Sequence, residues 1–486
     1  MKKVNIALNF FIVSSALVLG IYALYENVYD MLLIATILLW INNICYSIEK
    51  FKERAYYFFF NLTFFVFLLG RPLIILLKGN DIEKVTKINY SSMADVRLAV
   101  VIMYIALTGM YFGAISGNIL KNRFFNRCKK PKTYNKSVFL FHLKYVSLLL
   151  FAIAIIAAYI RGVEKVLFIL NSSYVEYYVS FTSKLPYLVY VLSTFVEPSL
   201  CLFLITYPPK KAAYKVLVLY MISTTLDLVG GERNPFVLSV IFSLIYFIYR
   251  DYIGDKEKWI GKFERWALIL VTPIGLVLLG MMNYIRDGVS AGFSNVFEIF
   301  LDLLEKQGVT FSWLSCGLGI LNKLPGFGSS NYTFGGIIDY FKYGSIGQRF
   351  FGIEGLGNGN NLRHALNGNS MAHQLSYTLL GDWYLEGHGC GSSYLLEVFA
   401  DYGKIGIFIF SFFLGMLLIS AFDIAKQNMF CGAIMLLSIT GTLFMPRSEA
   451  IGGINFILRI PFWCTFICCM IGSGLFARKF RRSATI

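Results

Sequence analysis

Arginines near the ends of apolar segments are the residues of this sequence best suited to chemistry. A charged group at membrane depth is costly unless it faces a cavity or a partner, and the planar guanidinium fork can bind two phosphate oxygens at once. Taken singly, each arginine is also explained by an interfacial position or an ion pair. Taken together, they predict a site for an anionic ligand. The set consists of Arg71, Arg161, Arg233, Arg286, Arg447 and Arg459.

Three of the four histidines lie in one Gly-rich, mostly polar stretch, residues 285–403. They are His364, His373 and His388. A neutral imidazole beside a cavity can take a proton from a sugar hydroxyl, and the alternative for each is a loop histidine that only forms hydrogen bonds. No HExxH pattern and no paired-cysteine spacing accompanies them, so the sequence predicts no metal site.

These residues belong to the sequence of an integral membrane protein. Hydrophobic residues make up 57% of the chain and charged residues only 15%, and the mean hydropathy is +0.63. Apolar runs of about 17–25 residues recur, the length needed to cross a bilayer as a helix. We predict an all-α polytopic membrane protein with about twelve transmembrane helices. The predicted spans are 5–24, 29–48, 55–77, 97–116, 137–160, 187–207, 214–230, 235–250, 267–284, 404–422, 427–445 and 454–476.

The formal net charge of +16 is explained by membrane orientation rather than by a nucleic-acid partner. If the N-terminus is cytoplasmic, Lys and Arg concentrate in the loops on that side, whereas the opposite loops carry more acids than bases. The segment 121–132 alone has six positive charges and no acid, which is typical of a loop beside anionic lipid. We therefore predict that both termini are cytoplasmic and that residues 285–403 lie outside.

Residues 285–403 are predicted to be one large outer loop, inserted between the ninth and tenth spans of a single membrane domain, 1–486. Apolar residues recur at helical spacing from Phe293 to Leu304, which predicts an amphipathic helix on the membrane surface or against the bundle. A second apolar patch, 309–321, is expected to behave in the same way. The segment 325–368 is dense in Gly, Asn and Ser and is predicted to be an irregular loop.

Motifs for nucleotide binding are missing from the sequence. There is no GxxxxGKS phosphate loop and no Rossmann glycine pattern, and no cytoplasmic segment is long enough to form a nucleotide-binding domain. Transport driven by ATP and transfer from a nucleotide sugar both lose support. An enzyme of this kind would draw its energy from a substrate already activated in the membrane.

Three motifs resemble those of the bacterial oligosaccharide repeat-unit polymerases, the Wzy-type O-antigen and capsule polymerases. The turn 230–236, GGERNPF, is similar to the Gly-rich arginine turn of that family. The stretch 391–403, GSSYLLEVFADYG, is similar to its junction into the next span, and Met445-Pro446-Arg447 matches its late outer arginine. As architecture, the resemblance covers essentially the whole chain.

The resemblance implies a glycosyltransferase like the membrane-embedded GT-C enzymes, located in the bacterial cytoplasmic membrane. Such enzymes transfer a growing glycan from undecaprenyl pyrophosphate to the non-reducing end of an incoming lipid-linked repeat unit. They require neither a nucleotide sugar nor, as a rule, a metal or another cofactor. A repeat-unit flippase and a chain-length regulator are the protein partners that the resemblance implies, in addition to membrane lipids.

Site roles follow from the same resemblance. The outer arginines Arg233, Arg286, Arg447 and Arg459 would bind and neutralise the departing pyrophosphate, which stabilises the transition state electrostatically. His373 is favoured as the base that deprotonates the acceptor hydroxyl. The other candidates are Glu386, His388 and Glu397 for the base, and Trp383, Tyr384 and Tyr394 for stacking on sugar rings.

Two other functions stay open at this point. A lipid-linked glycan ligase, which moves finished chains onto lipid A or protein, would share the arginines and an outer histidine. A flippase or another polysaccharide transporter would place charges along a path on both sides of the membrane midplane and would show repeat symmetry. Few charges lie within the predicted spans and no internal repeat is visible, so the sequence favours the polymerase.

Overall fold

The structure is a computed structural model that describes residues 2–79, 91–124, 138–172, 176–177, 181–229, 231–255, 257–287 and 296–483. Within these ranges the regular structure is entirely helical. The α-helices are α1 (Lys2–Tyr25), α2 (Tyr29–Glu49), α3 (Phe51–Phe64), α4 (Gly70–Leu77), α5 (Met93–Phe124), α6 (Val138–Asn171), α7 (Tyr187–Ser193), α8 (Val196–Ile205), α9 (Lys210–Val229), α10 (Asn234–Tyr252), α11 (Lys262–Asp287), α12 (Val296–Gln307), α13 (Val309–Ile320), α14 (Gly335–Tyr343), α15 (Ser345–Phe351), α16 (Leu362–Asn367), α17 (Met371–Leu380), α18 (Asp382–Leu385), α19 (Tyr394–Ala425), α20 (Met429–Phe444) and α21 (Ile460–Ser483).

The prediction of an all-α polytopic membrane protein is confirmed. Every predicted span overlaps a helix, and among the described residues nine helices are long and apolar enough to cross a membrane. A shorter apolar helix, Asn9–Tyr25, covers most of the first predicted span. The seventh and ninth predicted spans correspond to α9 and α11, which are not among the nine. The nine are Tyr29–Glu49, Phe51–Leu77, Met93–Lys121, Val138–Asn171, Tyr187–Ile205, Asn234–Tyr252, Tyr394–Ala425, Met429–Arg447 and Ile460–Arg478.

The chain forms two compact units. The described part of the predicted outer loop belongs to the first of them. The first unit comprises 1–120, 265–420 and 442–452, and the second comprises 121–264, 421–441 and 453–486.

Close packing of α5 on α19 holds the first unit together. Gly109, Gly113 and Gly117 recur every four residues on α5, and a Cβ atom added at Gly113 would stand 1.9 Å from the carbonyl oxygen of Phe412. Gly415 of α19 approaches α5 in the same way. Small residues at this spacing let two helical backbones meet within the membrane. The contact fixes α19, whose first turns carry the motif 391–403.

The described part of the predicted loop folds into helices of its own. The amphipathic helix predicted over Phe293–Leu304 is present as α12, except that residues 288–295 lie outside the described residues. Its Glu305 pairs with Lys78 at 2.8 Å, and Gly280 of α11 lets Ile299 approach closely. Of the two predicted positions for this helix, the structure shows packing against other helices.

The second apolar patch, 309–321, forms α13, and of its two predicted positions the structure again shows packing against other helices, because α13 is buried along most of its length and its Gly317 accommodates the side chain of Leu396. Another prediction about the loop is wrong. The segment 325–368 is not irregular throughout, since it contains α14, α15 and α16. At the end of α15, Gly352 has a φ of 63°, a left-handed conformation that glycine adopts at little cost.

The second unit packs around a small apolar core. Leu143, Leu202, Ala433 and Cys469 meet there from α6, α8, α20 and α21. On another face of α6, Gly162 leaves room for the side chain of Leu226 of α9, since an added Cβ would stand 2.5 Å from the leucine Cδ1. This close approach brings the next turn of α6 to the α9–α10 turn, where Arg233 lies.

Candidate active site

Two histidines form a pair on the short helices of the loop. His364 lies in the first turns of α16 and His373 in the first turn of α17, and their ring centroids are 4.3 Å apart. Asn361 starts α16 as its N-cap, because its side chain accepts a hydrogen bond from the His364 backbone N–H at 2.9 Å. An N-cap asparagine satisfies a backbone donor that a helix leaves open. The cap therefore places His364 against His373.

A buried tyrosine fixes the ring of His373. The Tyr384 hydroxyl lies 2.8 Å from His373 Nδ1, and the Tyr384 side chain is only 1% exposed. The same hydroxyl accepts from the Asn361 backbone N–H and donates to the Asn361 carbonyl, both at 3.2 Å. If that donation uses the single hydroxyl proton, His373 Nδ1 carries a proton of its own and Nε2 is left as the acceptor of the ring.

Burial keeps both imidazoles neutral at pH 7. It lowers the pKa of His373 to about 4, and the neighbouring His364 adds to this shift. Burial also lowers the pKa of His364, although the carboxylate of Asp339 opposes the effect. His364 Nδ1 is buried and has no hydrogen-bond partner among the described residues. A neutral histidine can accept a proton, which a charged one cannot.

A buried polar network holds the helices around the pair. Asp339 of α14 accepts from the backbone and side-chain nitrogens of Asn369 at 2.7–3.1 Å. Gln374, which follows His373 and is fully buried, accepts from Gly326 N at 2.9 Å and from the Tyr332 hydroxyl at 2.8 Å. Satisfied polar networks of this kind specify one arrangement of a core. The network therefore determines where α16 and α17 place their histidines.

The segment 388–393 connects the histidine pair to the late arginine motif. One turn beyond His373, Ser376 Oγ accepts from the backbone N–H of Cys390 at 2.9 Å. Further along, the Ser392 hydroxyl donates to Glu397 at 2.7 Å, and the other carboxylate oxygen of Glu397 accepts from Ala450 N at 2.7 Å. Two motifs that are far apart in the sequence, 391–403 and 445–447, are thus held together within the first unit.

Arg447 and Arg71 both approach the end of α12 in this unit. Its Nη1 donates to the carbonyl oxygen and to Oε1 of Gln307, at 3.2 and 3.3 Å, where α12 ends. Gly308 follows, and a Cβ atom there would stand 2.6 Å from Cβ of Arg71. A π-helical segment, Phe65–Leu69, immediately precedes α4, which carries Arg71. Both guanidinium-bearing residues therefore flank the α12–α13 junction.

Arg233 lies in the second unit, at the N-cap position of α10 with Pro235 in the first turn of the helix. Lys165 of α6 binds both sides of the preceding turn, because its Nζ is 3.1 Å from Asp227 and 3.1 Å from Glu232. Arg161, one turn earlier on α6, donates to the Ser193 hydroxyl at 2.6 Å and lies over the ring of Tyr190. Basic side chains thus surround the turn that the sequence singled out.

The remaining predicted site residues differ in accessibility. Trp383 is 64% exposed, and Glu386 and His388 are exposed in the same segment. The Tyr384 and Tyr394 rings are buried, so neither offers a face to a sugar in this structure. Arg459 is exposed in the second unit. Arg286 lies in the last turn of α11, and its side chain lies outside the described residues.

Sequence reasoning missed the residues that position the site. Asp339, Asn361 and Gln374 hold the histidines, and Asp401 holds the start of α14 through Tyr332 N at 3.1 Å and Thr333 N at 2.6 Å. Of these, only Asn361 has a local signal, an asparagine directly before a helical segment. Among the described residues, no three His, Cys, Asp or Glu side chains converge in a way that could hold a metal ion.

Comparison with known proteins agrees with this architecture. The family described as O-antigen polysaccharide polymerase Wzy matches residues 7–479, nearly the whole chain. No curated protein and no solved structure matches the chain. Because the match runs through both units and includes the helices that carry the histidine pair and the arginines, the chain belongs to the O-antigen polysaccharide polymerase Wzy family.

Proposed function

We propose that this protein elongates O-antigen on the outer face of the bacterial inner membrane by transferring a growing glycan from undecaprenyl pyrophosphate to an incoming lipid-linked repeat unit. The observation that carries the proposal is the neutral histidine pair on the loop, tied through the segment 388–393 to the arginine motif at 445–447. A base for the acceptor and cations for the leaving group are the two functions that such a transfer requires.

His373 is the proposed base. The acceptor hydroxyl attacks the anomeric carbon of the donor and forms the new glycosidic bond, and its proton passes to His373 Nε2. Tyr384 holds the opposite ring nitrogen at 2.8 Å and so orients Nε2. The imidazole is a weak base while its pKa stays at about 4. The negative charge of an arriving pyrophosphate stabilises the imidazolium and raises that pKa.

Arginines are the proposed ligands of the leaving group. As the bond between the anomeric carbon and the pyrophosphate oxygen breaks, both electrons of that bond stay with the oxygen. Guanidinium groups neutralise the charge that develops there. Arg447, with Arg71 at the same α12–α13 junction, is proposed to supply this charge in the first unit, and Arg233, Arg286 and Arg459 remain the further arginines proposed for this role. Trp383, which is 64% exposed, is the proposed aromatic contact for a sugar ring.

Reconstitution tests this function. The purified full chain is placed in nanodiscs and supplied with lipid-linked repeat units extracted from cells that lack its gene. We expect a ladder of carrier-linked glycans of increasing length, with release of undecaprenyl pyrophosphate and no requirement for a nucleotide sugar. The ligase alternative predicts no ladder and transfer only when lipid A is added. A flippase would move the substrate between leaflets and leave its length unchanged.

A further inference from the structure

Two consecutive helices of the loop, α14 and α15, expose a surface of large apolar side chains. Phe341 is 48% exposed, Ile346 41%, Phe350 75% and Phe351 73%. Ile346 and Phe350 are four residues apart on α15 and therefore lie on one helix face. Exposed apolar side chains that cluster in this way mark a binding surface rather than a scatter of single residues.

The opposite face of α14 forms hydrogen bonds with other residues of the loop. Asp339 accepts from Asn369, and Tyr343, four residues later, donates its hydroxyl proton to the Asn367 carbonyl at 2.8 Å. Asp339 and Tyr343 share one helix face by this spacing. The helix therefore has one face fixed beside the histidine pair, while Phe341 points elsewhere and is half exposed.

The start of α14 lies beside the point where Gly403, with a φ of 62°, interrupts α19 and separates its first turns from its long apolar part. Asp401 of α19 binds the backbone nitrogens of Tyr332 and Thr333 at 3.1 and 2.6 Å, and the Asn331 side chain donates to the Tyr402 hydroxyl at 2.9 Å. Beyond the kink, the apolar part of α19 begins at Ile405, three residues after Tyr402, and Ile405 is 76% exposed, as expected of a lipid-facing residue. Tyrosine is typical of the boundary between lipid and water. These contacts place the start of α14 at that boundary.

Charge identifies the occupant of this surface. Lys342 and Arg349 are exposed among the apolar side chains, and a short apolar surface with basic residues fits the headgroup region of a bilayer that contains anionic lipid. A second copy of the chain is a poorer fit, because a symmetric contact would bring the same cations of both copies together. A bilayer with anionic lipid can bury the apolar residues and attract the basic ones.

We propose that the surface formed by Phe341, Ile346, Phe350 and Phe351 inserts into the interface of the bilayer. It thereby fixes the helices of the histidine pair at the membrane surface, on the outer leaflet if the predicted orientation holds. The aromatic rings enter the region of the acyl chains nearest the headgroups, and Lys342 and Arg349 stay among the phosphates. The proposal concerns lipid contact and does not depend on which residue is the base.

Photocrosslinking of the full chain tests this contact. p-Benzoylphenylalanine is placed at Phe350 or at Phe351, in nanodiscs of phosphatidylethanolamine and phosphatidylglycerol. The control position is Glu354, whose side chain is 80% exposed and pairs with Arg363. We expect about tenfold more lipid adduct from positions 350 and 351 than from 354, because the same aromatic probe enters the interface at the apolar surface, whereas position 354 lies outside that surface.

Three results would overturn the proposal. Equal lipid adduct at all three positions would show no preferential contact with the membrane. Adducts between two protein chains in place of lipid adducts would identify the surface as a contact between copies. The third result concerns a benzoylphenylalanine at Phe341. If a double Phe350→Asp, Phe351→Asp variant gave as much lipid adduct from that position as the protein with both phenylalanines, the two rings would not hold the surface in the bilayer. We expect the double variant to reduce the lipid adduct at position 341 about tenfold, because aspartates do not enter the interface as aromatic rings do.

Discussion

The carboxylate of Glu397 lies 2.7 Å from the backbone nitrogen of Ala450. Its other oxygen accepts from the Ser392 hydroxyl, and the side chain is 1% exposed. The residue therefore joins the end of the predicted outer loop to the segment that follows Arg447. A carboxylate with both oxygens engaged in this way is suited to positioning the arginine rather than to accepting a proton from a substrate.

Glu397→Ala is expected to lower stability and polymerisation together. Loss of the carboxylate leaves the buried Ala450 N–H without its acceptor, which costs about 1–3 kcal/mol. Ser392→Ala removes one of the two hydrogen bonds and is expected to cost only about 1 kcal/mol. Thermal unfolding in detergent and glycan length on cells measure the two effects. A Glu397→Ala protein of normal stability that forms no chains would instead favour Glu397 as the base.

His373→Gln is expected to reduce polymerisation in nanodiscs by about 10²–10⁴-fold, the usual contribution of a general base. The substitution keeps a polar side chain of similar length, so the melting temperature at pH 7.5 should change little. His364→Gln is the matched control, because it alters the neighbouring ring without touching the Tyr384 contact, and we expect a smaller loss. Similar losses in both variants would contradict the assignment of His373 as the base.

Stability should fall as the pH falls from about 6.5 to about 4. The folded pKa of His373 is about 4, below its ordinary value of 6.5. In that window the unfolded chain binds a proton at this residue that the folded chain does not, so acid favours unfolding. Above about pH 6.5 both states are neutral and the effect vanishes. The melting temperatures of wild type and His373→Gln should be similar at pH 7.5, and that of wild type should fall further as the pH decreases to about 4; parallel curves would contradict the shift.

Local periodicity predicted some elements well and could not predict others. The spacing from Phe293 to Leu304 predicts α12, because one side of that helix is polar. For α13 the apolar pattern left the membrane surface and the bundle both open, and only the structure shows that the helix is buried, with Leu396 of α19 packed against its Gly317. Hydropathy does not distinguish burial in lipid from burial in protein.

The residues of the candidate site also differ in whether the sequence alone can identify them. The sequence identifies His373 because a neutral imidazole can take a proton from a sugar hydroxyl, and Arg447 because an arginine at a span end is costly unless it faces a partner or an anionic ligand. Asp339 and Gln374 resemble ordinary loop residues in the sequence, and only the folded chain shows that they organise the pair. The burial of Tyr384 likewise depends on tertiary contacts. Its side chain is of a type that stacks on sugar rings, but in the folded chain the ring is buried.

Arg447→Ala is expected to reduce the rate of polymerisation about 10²–10³-fold, the effect of removing one group that stabilises developing charge. Gln307→Ala is the matched control, because it removes the side-chain partner of Arg447 and leaves the guanidinium in place. It should cost about 1 kcal/mol in stability and little in rate. Rates are measured in nanodiscs at equal protein levels. Equal effects of the two substitutions would mean that Arg447 acts only by holding the end of α12.

Lys165 is expected to act as a positioning residue for Arg233. Its amino group binds Asp227 in the last turn of α9 and Glu232 within the turn, directly before Arg233, each at 3.1 Å. In Lys165→Met the two carboxylates lose their shared cation and repel each other, so the turn that carries Arg233 should rearrange. We expect shorter surface glycans and a lower melting temperature, with most of both restored in Lys165→Arg because the charge returns. Arg233→Ala should shorten the glycans without lowering the melting temperature. Wild-type chain length in Lys165→Met, at normal protein levels, would show that the bridge does not position Arg233.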